Sequence, residues 1–158
     1  MQKNKRGFSL LELLIVVAVI GILVTLVFPF LIRSRVNANE SATKANLKTF
    51  SSAMESYRAA QNPPAYPVNF GNLTSAFPEY INSTWGSGTT TTKSGYDITY
   101  VRASSERYAT YAEPNQVSIT GNASFCVDET GIVWTSITAS GAFTASPCSG
   151  GTGATVLQ

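Results

Sequence analysis

One apolar run near the N-terminus constrains this 158-residue chain more than any other feature. Residues 8–32 read FSLLELLIVVAVIGILVTLVFPFLI, and Glu12 is the only charged residue among them. The uncharged stretch from Leu13 to Ile32 would form a helix about 30 Å long, which is enough to cross the hydrocarbon core of a bilayer. The run therefore predicts a membrane-spanning helix.

The residues on either side of the run predict its orientation. Lys3, Lys5 and Arg6 precede it, and a long polar chain follows it. Because positive residues stay on the cytoplasmic side, we expect an inside N-terminus and an exported C-terminal part. A cleaved secretory signal would have a shorter apolar stretch and a small-residue cleavage site. The basic sequence at residues 33–35 does not fit that pattern, whereas a plain single-pass anchor does.

Three residues within the run bear on more than anchoring. The Glu12 carboxylate is unfavourable in a spanning helix, by about 2.5–3.5 kcal/mol at its centre and by less near its end. Such charges usually have a partner, and the alternative is a capping box with Ser9 at the start of the helix. Pro29 removes a helix hydrogen bond, and together with Gly21 it marks a possible helix break, where the helix could bend or melt.

The sequence KRGFSLLE at residues 5–12 resembles the processing site of type IV prepilins and of the pseudopilins of type II secretion systems. The family pattern is a basic leader ending in glycine, then phenylalanine, an acidic residue four positions later, and a long apolar run. The resemblance implies that residues 1–7 are a leader that a prepilin peptidase removes after Gly7. It also implies N-methylation of the new amino group of Phe8.

The resemblance further implies an assembly role for Glu12, which would pair with the Phe8 amine of a neighbouring subunit. Both are charges in an apolar bundle, and each neutralises the other. The implied partners are copies of the same chain, the prepilin peptidase, an inner-membrane assembly platform, and membrane lipid before assembly. The implied locations are the bacterial inner membrane and then an extracellular pilus, or a periplasmic pseudopilus for a pseudopilin.

The polar sequence after the apolar run continues the helix. Leu47, Phe50, Met54 and Tyr57 are spaced by three and four residues, which places them on one helical face. We therefore predict an amphipathic half over residues 33–61 that covers a sheet of the same chain. The sequence Asn-Pro-Pro that begins at Asn62 ends the helix.

The C-terminal part predicts β structure. Residues 62–95 are rich in turn formers and are interpreted as a connecting loop. Two hairpins are expected from strands at 96–101 and 107–112, and at 124–127 and 132–135, with Gly131 in the left-handed position of the second turn. The fold class is therefore α+β and pilin-like, with a long N-terminal helix packed on an antiparallel sheet of about four strands within residues 96–158.

The two cysteines, Cys126 and Cys148, have two interpretations. An even pair in an exported protein suggests a disulfide, whereas two free thiols would be expected in the cytosol. A bridge closing a loop of this length would stabilise the head by roughly 3 kcal/mol. It would also resemble the C-terminal disulfide loop of many pilins.

Several kinds of chemistry lack support in the sequence. There is no histidine, and the two cysteines do not form a zinc site. Without its three N-terminal positive residues the chain has eight basic and nine acidic residues, so sequence-specific nucleic-acid binding is not expected. Asp128 and Glu129 could hold calcium, but a solvated turn is the favoured interpretation. We expect no enzyme activity, no cofactor and no metal.

Three functional hypotheses follow. The first is a type IV pilin, a structural subunit that polymerises into a bacterial surface filament through its N-terminal helix. The second is a pseudopilin of a type II secretion system, with the same N-terminal chemistry. The third is a single-pass membrane-anchored binding protein, which predicts no cleavage after Gly7 and tolerance of Glu12→Ala.

Overall fold

The computed structural model describes residues 8–139, 141–143 and 147–157. Helix α1 spans Leu10–Ala60, and the chain divides within it into two compact units, Met1–Ser34 and Arg35–Gln158. Gly7, the residue of the expected leader cleavage, lies outside the described residues. We call residues 8–34 the apolar half of α1, counting Phe8 and Ser9, which directly precede the helix, and we call the second unit the head.

The apolar half of α1 buries none of its side chains within its own chain. Every residue from 8 to 31 is exposed, and by length and composition α1 is able to cross a membrane. α1 is continuous across Gly21 and Pro29, so the structure has no helix break at either residue. Proline lacks an N–H donor, but the remaining hydrogen bonds of a helix can continue around it. Bending or melting at these residues in another state stays a prediction.

The head contains a six-stranded antiparallel sheet whose strands lie in chain order, β1 to β6. The strands are β1 (Thr90–Lys93), β2 (Tyr96–Arg102), β3 (Tyr108–Pro114), β4 (Ser124–Asp128), β5 (Val133–Ser136) and β6 (Thr155–Val156). A short helix α2 (Gly71–Thr74) and a 3-10 turn (Ser83–Trp85) precede the sheet, and a second 3-10 turn (Cys148–Gly150) precedes β6.

The α+β class is confirmed, but the predicted number of strands is wrong. The two expected hairpins are present as β2–β3 and β4–β5, and Gly131 has the positive φ of 71° expected in the second turn. β1 lies within the segment interpreted as a connecting loop. It pairs with β2 through residues such as Thr91 opposite Ile98, because β-branched threonines fit an exposed edge strand. β6 adds two residues at the other edge.

The predicted stripe on α1 forms the centre of the core. Leu47, Phe50 and Met54 are fully buried, and Tyr57 is half-buried against Tyr80. The Phe50 ring lies among four aromatic rings with centroid distances of 5.1 to 6.5 Å, those of Phe70, Trp85, Tyr100 and Tyr108. Aromatic pairs of this kind add stability beyond the area that they bury. The second half of α1 is thus the core helix of the head.

Candidate assembly site

The apolar half of α1 carries the two described residues of the expected assembly site. Phe8 is 84% exposed, and Glu12 is exposed in the first turn of α1. The Leu13 amide donates to the Ser9 carbonyl at 3.2 Å, which begins the helix. Within residues 8–157 as described, the Glu12 carboxylate has neither a hydrogen bond nor an ion pair, so the capping box with Ser9 is not formed.

Glu12 is therefore available to a group outside its own chain. The structure holds one copy, so the pairing of Glu12 with a neighbour's Phe8 amine stays a prediction. A carboxylate surrounded by exposed leucine and valine side chains is strongly unfavourable in lipid unless it is neutralised. An amine brought by a second copy would supply the missing charge.

The head contains the disulfide that joins Cys126 and Cys148, with an Sγ–Sγ distance of 1.96 Å and a Cα–Cα distance of 5.7 Å. Both cysteines are fully buried and pack with Ala109, Ala142 and Phe143 on one face of the sheet. The opposite face carries the aromatic core around α1. The bridge therefore covers the outer face of β4 with the C-terminal segment.

Asp128 is buried, whereas the sequence predicts a solvated turn residue. The residue is 1% exposed. Its Oδ1 accepts from the Thr130 amide at 3.0 Å and from the Thr130 hydroxyl at 2.5 Å, and Oδ2 accepts from the Cys148 amide at 2.9 Å. The solvated-turn interpretation is thus wrong for Asp128, because backbone donors replace water around it. Within the part of the chain that the structure describes, no group of acidic, histidine or cysteine side chains is arranged to hold a metal ion.

Four tyrosines connect the separate parts of the head. The Tyr96 hydroxyl donates to the Ala123 carbonyl at 2.9 Å, and the Tyr100 hydroxyl donates to the Pro67 carbonyl at 2.6 Å. The hydroxyls of Tyr66 and Tyr108 bond to side chains of α1, those of Glu55 and Ser51. Burial raises the pKa of all four phenols above the usual value, and for Tyr66 the adjacent Glu55 carboxylate raises it further.

Two hydrogen bonds also fix the loop before β4 against α1. The Asn39 side-chain amide donates to the Thr120 carbonyl at 2.9 Å, and the Asn122 backbone amide donates to Glu40 Oε1 at 2.9 Å. These contacts were not predictable from the sequence, since an asparagine and a glutamate on a polar helix give no signal of a partner about eighty residues away. The two bonds hold the loop before β4 against the part of α1 that contains Asn39 and Glu40.

Comparisons with known proteins agree with the sequence motif. Residues 2–28 match the family model described as the prokaryotic N-terminal methylation motif. The chain is 44% identical over 54 residues to the type IV major pilin protein PilA of Myxococcus xanthus, an alignment covering 34% of this chain and 24% of that protein. It is 38% identical over 60 residues to the type IV wide pilus major component PilA4 of Thermus thermophilus, covering 38% and 46%.

The chain thus spans less than half the length of the curated relatives that it matches. No solved structure matches it at a significant level. The comparisons and the fold together confirm the predicted resemblance: the N-terminal segment carries the type IV prepilin motif, on a chain with a pilin-like α+β architecture.

Proposed function

We propose that this chain is the structural subunit of a type IV filament, built by polymerisation through the apolar half of α1. The observation that carries the proposal is the combination of the methylation motif at residues 2–28 with a helix half that buries nothing in its own chain. An apolar surface of this size needs lipid or protein around it. Copies of the same helix, bundled together, provide that environment outside the membrane.

Processing comes before assembly. A prepilin peptidase cuts the peptide bond after Gly7, and the new amino group of Phe8 is methylated. The basic leader holds the N-terminus on the cytoplasmic side of the inner membrane, and the head lies on the outer side. An inner-membrane assembly platform then moves the processed subunit from lipid into the growing bundle.

The pair between Glu12 and the Phe8 amine sets the register of assembly. Lipid tails are as apolar as leucine, so moving the helix from lipid into a bundle yields little hydrophobic free energy by itself. A charge pair that forms only between subunits distinguishes one register from all others, because any other leaves two buried charges without partners. The apolar surface therefore permits assembly, and the charge pair directs it.

The proposal is tested by mass spectrometry of the N-terminal peptide from sheared surface material and, separately, from the cell envelope. We expect abundant N-methylated peptide beginning at Phe8 in the sheared fraction. The processed form confined to the envelope would instead indicate a pseudopilin. A chain that still begins at Met1 or Gln2 in both fractions would rule out both and leave a membrane-anchored head.

A further inference from the structure

The head has an open groove between the core helix and the last two strands. It is lined by Lys44, Ala45 and Lys48 of α1, by residues 131–133, and by Val156 and Leu157, and its volume is about 550 Å³. Since a cavity of about 150 Å³ admits a benzene molecule, the groove has room for an aromatic side chain. We call it the docking groove.

The docking groove combines apolar walls with positive charge. The Ile132 and Val156 side chains are 41% and 46% exposed. The Lys44 ammonium lies 5.1 Å from the centre of the Phe125 ring. Neither Lys44 nor Lys48 forms an ion pair with any residue that the structure describes. A fitting occupant would have an apolar side chain next to a carboxylate.

One segment of the same sequence has this composition. Phe77 is fully exposed, and it is followed by Pro78 and Glu79, which are also exposed. The segment is held at both ends, because the Tyr80 amide donates to the Leu73 carbonyl at 3.0 Å and the Tyr80 ring packs on Tyr57. A fixed loop loses little conformational entropy when it binds. We call residues 75–79 the Phe77 loop.

Glu79 is one of two head carboxylates that neither accept a hydrogen bond nor form an ion pair among the described residues. The partnered acidic residues of the head are Glu40, Glu55, Asp97, Glu113, Asp128 and Glu129. The other unpartnered carboxylate is that of Glu106, in the turn between β2 and β3, where no large apolar residue adjoins it in the sequence. Of these two described carboxylates, Glu79 is therefore the one that lies next to an exposed apolar side chain.

The Phe77 loop and the docking groove are separate surfaces of the head, because none of the residues that line the groove belongs to the loop. The segment that contains the loop contacts the β1 edge, where the Lys93 ammonium bonds to the Thr84 hydroxyl at 2.6 Å. The groove lies at the β6 edge. A contact between unlike surfaces of two copies leaves the pair with one free loop and one free groove. It therefore extends without closing unless its rotation makes a ring.

We propose that the Phe77 loop of one subunit docks in the docking groove of the next, with the Phe77 ring among the apolar walls and the Glu79 carboxylate beside Lys48 and Lys44. This inference rests on the proposed function, since it supplies a head-to-head contact within the same filament. The contact joins subunits through their heads, independently of the pair between Glu12 and Phe8.

Charge exchange in the full-length chain tests the contact. We expect K48E and E79K each to lower the yield of sheared filaments roughly three- to tenfold, because each removes one favourable charge interaction between subunits. The double variant K48E/E79K restores opposite charges and should recover most of the loss. E106K, at the other unpartnered carboxylate, should assemble like the wild type. The amount of membrane-bound, disulfide-bonded subunit is measured in each strain, and it should be unchanged.

Wild-type yields from both single variants, or a double variant no better than the worse single one, would overturn the contact. If the wild type itself forms no filaments, the proposed function fails and the contact fails with it. If the wild type forms filaments and every variant forms them equally well, the contact is overturned and the proposed function stands.

Cysteine cross-linking locates the contact in assembled filaments. The double variant F77C/I132C should form covalent multimers under mild oxidation. F77C/I137C should not, although Ile137 is 92% exposed and lies just beyond the other end of β5. Equal cross-linking in both variants, or none from F77C/I132C in filaments that assemble, would contradict the proposed docking.

Discussion

The two halves of α1 belong to one continuous helix, yet they differ in what surrounds them. In the first half, residues 8–31 are all exposed. In the second half, seven residues are buried within the head, namely Val36, Thr43, Leu47, Phe50, Ser51, Ala53 and Met54. The second half therefore finds its partners within the chain, and the first half needs partners from outside it.

This difference separates two kinds of stability. The head is held by its aromatic core, by tyrosine hydrogen bonds and by a disulfide, all of which exist in one copy. The apolar half buries nothing within its own chain, and on the proposed function its environment is lipid or other copies. Changes in the head should therefore alter unfolding, whereas changes in the apolar half should alter membrane binding and assembly. Four predictions test this division, beginning with the largest effect.

Removing the apolar half should abolish membrane binding and assembly and leave the folding of the head intact. We expect a chain of residues 35–158, exported to an oxidising compartment, to fold as a soluble monomer that lacks membrane association. The core and the disulfide lie entirely within that segment. Membrane flotation, size-exclusion chromatography and a thiol assay measure the result. An aggregated chain, or one with free thiols, would show that the head depends on the apolar half.

Glu12→Ala should reduce assembly without affecting the head. We expect filament yield to fall by about tenfold or more, corresponding to the loss of about 1.4 kcal/mol or more per contact. The variant should remain processed and membrane-bound, since alanine removes an unfavourable charge from the helix. Sheared filament yield is compared with that of the exposed control Glu106→Ala. Normal yield from the Glu12 variant would count heavily against the pairing.

Replacing both Cys126 and Cys148 with alanine should weaken the head alone. A bridge over 22 residues of sequence separation is expected to contribute about 3 kcal/mol to the free energy of unfolding on the chain-entropy model. Denaturant unfolding of the head with and without reductant measures this. The double-alanine variant is the control, because reductant should not affect it. A loss well below 1 kcal/mol would show that the packing of Ala109, Ala142 and Phe143 holds without the bridge.

High pH should destabilise the head, with no effect near neutrality. The pKa of each of the four buried tyrosines is raised in the folded state, mainly by burial. Their contribution is fully present below the ordinary phenol pKa of about 10 and is lost as the pH rises above it. Unfolding midpoints between neutral and strongly alkaline pH measure the loss. In Tyr100→Phe the unfolding midpoint should fall less steeply with pH. A wild-type midpoint that does not change with pH would contradict the raised tyrosine pKa values.

Elements with a strong periodic pattern were predictable from the sequence. The stripe that contains Leu47, Phe50 and Met54 identifies the core face of α1, because helical spacing brings these residues together without reference to the rest of the fold. The hairpins β2–β3 and β4–β5 are equally visible, since aromatic and β-branched residues flank short turns. Glu12 was identifiable from the sequence as the single charge in an apolar run, and its pairing stays a prediction.

Features that depend on distant contacts were not predictable. β1 consists of three threonines and a lysine, which resemble a loop until β2 supplies the hydrogen bonds. Asp128 looks like a solvated turn residue, and only the chain that returns at Cys148 makes it a buried acceptor. The docking groove combines residues of α1 with residues of β5 and β6, more than eighty positions apart. No local sequence pattern predicts that residues so far apart in the chain lie together.

The continuity of α1 from the apolar half into the core of the head has a mechanical consequence. Tension applied to the apolar half passes along the helix backbone to Leu47, Phe50 and Met54, whose side chains are enclosed by the aromatic core. The disulfide lies on the opposite face of the sheet from these side chains. Resistance to pulling should therefore come from core packing, while the bridge protects the C-terminal segment from peeling away.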